Sequence, residues 1–376
     1  MTSEFSLLTA IVFFNLAMVF IAILRRMSGY LTKCSAIALI LLAFFSALRV
    51  ILPLDFSFAY VVHSYVIIPT IESALKKDIW PGAGQFSLGE ALIIIWGIGS
   101  VVMLIRTVFR YHKDWVCRKR YKIFENAQVN CVVRRLRLNR TKVLVSPDIG
   151  IPYVAGIFHA HIYLPDIAVP DDTLEMIIKH EYQHYKSRDI LIKSFYLLLC
   201  IVFWWNPIVH AFQRELDRLL EIRCDSAMTK QMDENEKLEY LQSLLSVMKH
   251  IRPGHAAPLI NPLSLVQAGQ SRFVDQRAYI VLKSGNVKSA FMQILSISLV
   301  ILLFIASFTV IVQPAYSPSG EDNVDVFRIN QENAHILVTR NNTYELYVDG
   351  LFLVELSEAA LEAESYKGIP IISDED

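Results

Sequence analysis

Four apolar runs, residues 5–24, 35–54, 88–109 and 290–312, are each long enough to cross a bilayer as a helix, and nothing else in this chain restricts its fold as severely. A segment in lipid must satisfy its own backbone polar groups, so each run is expected to fold as a helix. Composition agrees: 54% of the residues are hydrophobic and the formal net charge is zero, which argues against a wholly soluble chain. The first run is too long for a removed signal peptide and lacks the small-residue cleavage site, so it is expected to remain as a span.

Charge orients these spans. Arg25, Arg26 and Lys33 fill the first loop, whereas residues 55–84 hold only Lys76 and Lys77 against Asp55, Glu72 and Asp78, so the first loop is expected on the cytoplasmic side. A dense basic stretch follows the third run, from Arg106 and Arg110 through Arg118, Lys119 and Arg120 to Arg140 and Lys142, opposed only by Asp114 and Glu125. Beside a span, such a stretch retains its segment in the cytosol and touches anionic lipid; direct nucleic-acid binding is not expected. The tail from residue 314 is acidic, with Arg328, Arg340 and Lys367 as its only Lys or Arg residues, and is expected outside. Both termini then lie outside.

Within the expected cytoplasmic region stands His180-Glu181-Tyr182-Gln183-His184. Apolar residues at helical spacing precede it, Leu174, Ile177 and Ile178, opened by Pro170-Asp171-Asp172-Thr173 as cap and first turn. On a helix the two His share a face and can reach one zinc, while Glu181 points at the water the metal would hold. Glu221, in Glu221-Ile222-Arg223-Cys224-Asp225, is the expected third ligand, because a catalytic zinc takes three protein ligands and keeps one open position. Asp225, four residues on, is expected to orient a ligand imidazole through its other N–H. His159 and His161 are alternative ligands that a strand would place on one face with no metal near. Arg188 and Asp189 are read as structural, and Cys224 as a small buried residue in a chain whose five cysteines imply no disulfide framework.

Residues 189–212 are apolar enough to suggest a fifth span, but a full crossing would put Glu221 across the bilayer from His180 and His184. Lys193 and the break at Trp204-Trp205-Asn206-Pro207 instead predict an embedded or re-entrant helical hairpin. Upstream, residues 142–147 and 153–165 read as short strands, one of which is expected to offer an edge for an extended substrate. Downstream, residues 235–250 read as an amphipathic helix with Leu238, Leu241, Leu244, Leu245 and Met248 inward. Residues 251–270 read as an irregular connector, and Arg272, Arg277, Lys283 and Lys288 as a basic interfacial approach to the last run. In the tail, residues 325–329, 335–339, 344–348 and 351–354 read as strands, with turns at Asn341-Asn342 and Asp349-Gly350.

The expected fold is therefore a mainly α membrane protein: three N-terminal spans (1–109), a cytoplasmic α+β zinc-peptidase domain (110–289) with the embedded hairpin, a last span (290–313) and a small β-rich external tail (314–376). Pro152-Tyr153-Val154-Ala155-Gly156, Ile162-Tyr163-Leu164-Pro165, the His180 to His184 motif with Ser187-Arg188-Asp189, Trp205-Asn206-Pro207 and the Glu221 to Asp225 segment together resemble the bacterial antirepressor metallopeptidases of the BlaR/MecR type. The resemblance implies a gluzincin zinc endopeptidase that an external ligand activates, with a winged-helix repressor as substrate and often self-cleavage, here expected within residues 268–289. It does not carry over β-lactam sensing, since the tail has no SxxK sequence for a serine nucleophile. Two other readings share the motif: a constitutive membrane quality-control protease of the HtpX/Ste24 kind, which the strand-rich tail disfavours, and a non-enzymatic zinc-containing receptor, which would not require Glu181.

Overall fold

Each of the four apolar runs is mainly helical among the described residues. The structure, a computed structural model, describes residues 4–33, 36–54, 56, 58–79, 86–138, 140–250, 271–283, 290–314, 334–339, 343–348, 350–356 and 369–373. In its first unit, residues 1–314, the helices α1 (Glu4–Arg26), α2 (Ser28–Lys33) and α3 (Ala36–Ile51) lead to strand β1 (Tyr60–Ser64), α4 (Ile67–Leu75) and α5 (Leu88–Arg120). α1 buries Ala10, Phe14, Ala17, Met18 and Ile21 along one stripe against neighbouring helices and leaves Val12, Leu16, Phe20 and Ile23 exposed. α5 starts on a capping box, in which Ser87 Oγ accepts from the Glu90 N–H at 3.3 Å and the Ser87 N–H donates to Glu90 Oε2 at 2.9 Å. Its apolar residues, including Ile93, Ile98, Val102 and Phe109, stay exposed.

Of the four expected spans, the helices Ser6–Arg26 and Leu88–Arg120 are long and apolar enough to cross a membrane. The others fall short as helices. α3 has 16 residues, about 24 Å at 1.5 Å per residue against a hydrocarbon core of about 30 Å. The run at 290–312 is helical only over α12 (Ala290–Ala306); then Ser307 and Thr309 turn their hydroxyls onto the carbonyls of Phe304 and Ala306, and the chain continues as β5 (Val310–Pro314). β5 pairs in parallel with β1, Tyr60 opposite Val310 and Ser64 opposite Pro314. Arg49, fully buried, ties these ends together by donating to Ser6 Oγ at 3.2 Å and lying 4.3 Å over the Phe308 ring.

The middle of the chain builds α6 (Ala127–Leu136), β2 (Thr141–Ser146), β3 (Tyr153–Ala155), β4 (Ala160–Pro165) and α7 (Asp171–Lys186). β4 is central, parallel to β2 and antiparallel to β3, and its alternation buries Ala160, Ile162 and Leu164 against α6 and α7. The β3–β4 turn requires Gly156, which has φ +98°, and a Cβ there would meet the His159 carbonyl at 2.1 Å. β2 and β3 are the outer strands among the described residues. α7 begins after Pro170, which makes no side-chain cap bond; Asp171 and Asp172 supply the acidic first turn.

α8 (Asp189–Val202) and α9 (Pro207–Met228) form the helical hairpin. The chain reverses because Asn206 Oδ1 accepts from the Ile208 N–H at 3.0 Å and Pro207 opens α9 where its missing N–H costs nothing. Tyr196 Oη donates across the hairpin to the Val209 carbonyl at 3.1 Å, and Lys193 pairs with Asp217 at 2.9 Å.

Two downstream expectations are corrected. α10 (Glu234–His250) buries Lys237, Tyr240, Ser243, Leu244 and Val247 and packs Leu241, so Leu241 and Leu244 of the expected stripe face inward, whereas Leu238 and Leu245 are exposed. Its inward face serves a polar contact of Tyr240. Residues 271–283 form α11 (Ser271–Lys283) with Arg277 buried, so this part of the expected self-cleavage stretch is helical, and Arg277 is not an interfacial cation. The connector 251–270 lies outside the described residues.

In the second unit, residues 315–376, β6 (Ala334–Val338), β7 (Tyr344–Val348), β8 (Leu351–Leu356) and β9 (Ile371–Ser373) form one sheet in the order β8-β7-β6-β9. Ile336, Leu346 and Val348 are its core, and β9 was not foreseen from sequence. The expected strand at 325–329 lies outside the described residues.

Candidate metal centre

α7 carries His180, Glu181 and His184 on its buried face, and the α8–α9 hairpin returns the chain so that Glu221 meets them. His180 Nε2 and His184 Nε2 stand 3.2 Å apart; Glu221 Oε2 lies 3.7 Å from the first and Oε1 3.6 Å from the second. Donor atoms at about 2.0–2.1 Å from a tetrahedral zinc are about 3.3–3.4 Å from one another, so the triangle has the size such an ion requires.

The hydrogen bonds fix both imidazoles in one tautomer. His184 Nδ1–H donates to Asp189 Oδ2 at 2.7 Å. On the other side Tyr240 Oη–H donates to Asp225 Oδ1 at 2.7 Å, so the tyrosine oxygen accepts from His180 Nδ1–H at 2.9 Å. Each Nε2 then keeps its lone pair. Two lone pairs and a carboxylate facing one another without a proton between them repel, and a cation in their midst removes that repulsion.

Charge completes the argument. Asp189 pairs with Arg223, and Arg277 grips Asp225 in a two-pronged contact, Nε on Oδ2 and Nη2 on Oδ1, both at 2.7 Å. Arg277 Nη1 also stands 3.1 Å from Glu221 Oε2. Four buried carboxyl groups, Glu181, Asp189, Glu221 and Asp225, accompany the guanidiniums of Arg223 and Arg277; with all four ionised, two formal negative charges are left for a divalent ion.

Burial pushes the Glu181 carboxyl up to about 7, with His180 opposing and Glu221 adding to the rise. Burial would raise Glu221 too, but the Arg277 guanidinium is the foremost opposing influence, and the carboxyl is held well below the usual range. Cys224 is also close, its Sγ 3.6 Å from His180 Nδ1 and 4.0 Å from Nε2, and His180, His184 and Cys224 form a metal-capable group among the described residues. Burial, then Asp225 and Glu221, drive its thiol well above the ordinary range, which disfavours the thiolate a metal needs. Glu221, already ionised, nearer the His180 Nε2 and facing the His184 Nε2, is the better third donor. His159 is exposed and His161 half-buried on β4, and neither joins the group.

Asp225 reaches His180 only through Tyr240, which corrects the direct contact expected from sequence. Asp189, read as structural, is the carboxylate that touches an imidazole directly. Its signal was its place just beyond the second His, at the start of the next helix. Tyr240 and Arg277 had no such signal. Beside the centre, a cavity of about 320 Å³ opens between α5, α8, α9 and the β3 edge, lined by Arg106, Arg110, Ala155, Gly156, Lys193 and Asp217 among others. Lys193, which lines this cavity and pairs with Asp217, favours the Glu181 carboxylate by its charge.

Among known proteins, the family described as BlaR1 peptidase M56 matches residues 6–274. The regulatory protein BlaR1 of Bacillus licheniformis is 31% identical over 165 residues, which is 42% of this chain and 28% of that protein. The methicillin resistance mecR1 protein of Staphylococcus aureus is 26% identical over 195 residues, 47% of this chain and 32% of the relative. The match to these relatives thus spans less than a third of their length. Because the family match runs from α1 into α11 and takes in both the helix of the paired histidines and the hairpin that returns Glu221, the chain belongs to the BlaR1 peptidase M56 family.

Proposed function

We propose that this chain is a multi-pass membrane zinc endopeptidase, activated by an extracellular ligand, that cleaves a winged-helix transcriptional repressor in the cytoplasm and also itself. The observation that carries the reading is the 3.2–3.7 Å triangle of His180, His184 and Glu221 with Glu181 buried beside it. His180, His184 and Glu221 are the ligands; Asp225 supports them from behind. A zinc ion held there supplies Lewis acidity, polarising a peptide carbonyl and acidifying water. Glu181 takes the proton from the attacking water and returns it to the leaving amine. β3, a terminal strand of its sheet, lies along the cavity and is the strand we assign to align an extended substrate, with the cavity receiving its side chains.

The membrane assignment draws on the apolar outer faces of α1 and α5, which no protein surface covers among the described residues. Four spans, an embedded hairpin, a cytoplasmic centre and external termini form the proposed topology, divided at residues 109, 289 and 313. Cysteines placed at Ser3 and Ser319 should be labelled from outside intact cells, and those at Lys119 or Gln231 should not.

The deciding experiment uses purified full chain in detergent with the winged-helix repressor encoded nearest its gene. Wild type should hold about one zinc and cut the repressor; Glu181→Gln should hold the zinc and cut at least about 100-fold more slowly. Equal cleavage by both proteins would overturn the reading.

A further inference from the structure

α11 is the element that sequence placed at the membrane surface and the structure places against the metal centre. Arg277, midway along it, is buried and meets two acidic groups of α9 with one planar fork. The grip on Asp225 is bidentate. Together with Tyr240 Oη it gives that carboxylate three hydrogen bonds at 2.7 Å, so Asp225 cannot turn away from the tyrosine that holds His180. Towards Glu221 the contact is different. Nη1 is 3.1 Å from Oε2, yet Oε2 has no hydrogen-bond partner of good alignment, so the guanidinium charge acts on the carboxylate while the oxygen keeps a lone pair for a metal.

We infer that Arg277 is a positioning residue of the metal centre, acting on Glu221 by charge and on His180 through Asp225 and Tyr240. This rests on the zinc reading above. The guanidinium matters for its shape: Lys keeps the charge but has no planar fork to span Asp225 and reach Glu221 together. It follows that the centre is incomplete without α11. The neighbouring Gln276 docks the same helix on the end of α1, donating from Nε2 to the Arg25 carbonyl at 2.8 Å and accepting from Arg25 Nη1 at 3.0 Å. α11 therefore links the end of the first apolar helix to the carboxylates of the centre, and withdrawing it withdraws Arg277.

The test measures zinc affinity by chelator competition, and the visible spectrum of the cobalt-substituted protein, on full-length wild type, Arg277→Lys and Arg277→Ala in detergent. Loss of an outer contact to metal ligands typically weakens binding by about 10–100-fold, and both variants are expected in that range with a changed cobalt spectrum. Added ethylguanidinium should restore Arg277→Ala towards wild type, while sodium chloride at equal ionic strength should not. If Arg277→Ala does not fold, Arg277→Lys decides alone. Wild-type affinity and spectrum in Arg277→Lys would overturn this inference, and tighter zinc in Arg277→Ala would show that the guanidinium only repels the metal. Wild type that takes up no zinc would overturn the metal reading along with it.

Discussion

His184 and His180 stand one helical turn apart, yet the two sides of the centre are built differently. His184 is held locally: its Asp189 lies five residues on, and Arg223, which neutralises Asp189, comes from the adjoining hairpin. His180 is held through Tyr240 of α10, Asp225 of α9 and Arg277 of α11, so its support gathers residues as far on as position 277. The local side forms as soon as α7, α8 and α9 pack. The distant side also needs α10 and α11 in place, which makes it the side where movement of the chain can be felt.

The sharpest way to break this comparison is to remove the local carboxylate. Asp189→Ala leaves Arg223 without its buried partner and His184 Nδ1–H without an acceptor. Breaking a buried pair from one side costs about 3–5 kcal/mol, and zinc affinity should also fall by about 100-fold. Denaturant unfolding and chelator competition measure the two losses. A stability change under about 1 kcal/mol would mean that the Arg223–Asp189 pair is not buried as described.

Between the two sides lies Glu181, and its pH response reports whether the ion is present. Its carboxyl is raised from 4.5 to about 7, so in metal-free protein its contribution to stability is complete below about 4.5 and is lost as pH rises through 7, by about 3 kcal/mol. Glu221 is shifted down, so its contribution is present above the ordinary carboxylate range and is lost as pH falls below it. Chelator-treated protein should thus be most stable near pH 5 and weaken towards pH 8. Zinc should abolish the alkaline loss, because a dication beside Glu181 favours the carboxylate. Thermal midpoints with and without zinc across this range test the point, and a flat metal-free curve would contradict it.

The same division explains what could be read from sequence. The convergence of His180, His184 and Glu221 was legible because i, i+4 spacing fixes a helix face and because the expectation of one shared metal called for a hairpin at Asn206-Pro207 to return Glu221. Tyr240 and Arg277 were not, since apolar periodicity does not say which polar residues of α10 or α11 turn inward. The end of the run at 290–312 was missed for a related reason: hydropathy does not register that Val310 to Pro314 can pair with β1.

A smaller effect is expected on the distant side. Tyr240→Phe removes the link from His180 Nδ1–H to Asp225 but leaves Asp225 in the grip of Arg277, so no charge is stranded. Zinc affinity should fall about 10-fold, the low end for an outer contact, with stability within about 1.5 kcal/mol of wild type. A loss matching that of Asp189→Ala would show that the two sides are equally rigid.

The smallest expected effect concerns Cys224, which decides between two donor sets. Its sulfur lies closer to His180 Nδ1 than to Nε2, on the side already committed to Tyr240, and it is 3.6 Å from the His180 carbonyl oxygen, to which its S–H can donate. Burial and the surrounding carboxylates keep it a thiol. Glu221 is ionised without the metal and faces both Nε2 atoms. Cys224→Ala should therefore leave zinc affinity within about 2-fold of wild type, costing only the packing of a small buried group, whereas Glu221→Ala should empty the centre. The cobalt-substituted protein gives an independent reading, because thiolate ligation produces an intense sulfur-to-metal charge-transfer band that a His, His, Glu set lacks. Such a band in wild type, lost in Cys224→Ala, would move the third ligand from Glu221 to Cys224 and leave Arg277 facing a carboxylate that holds no metal.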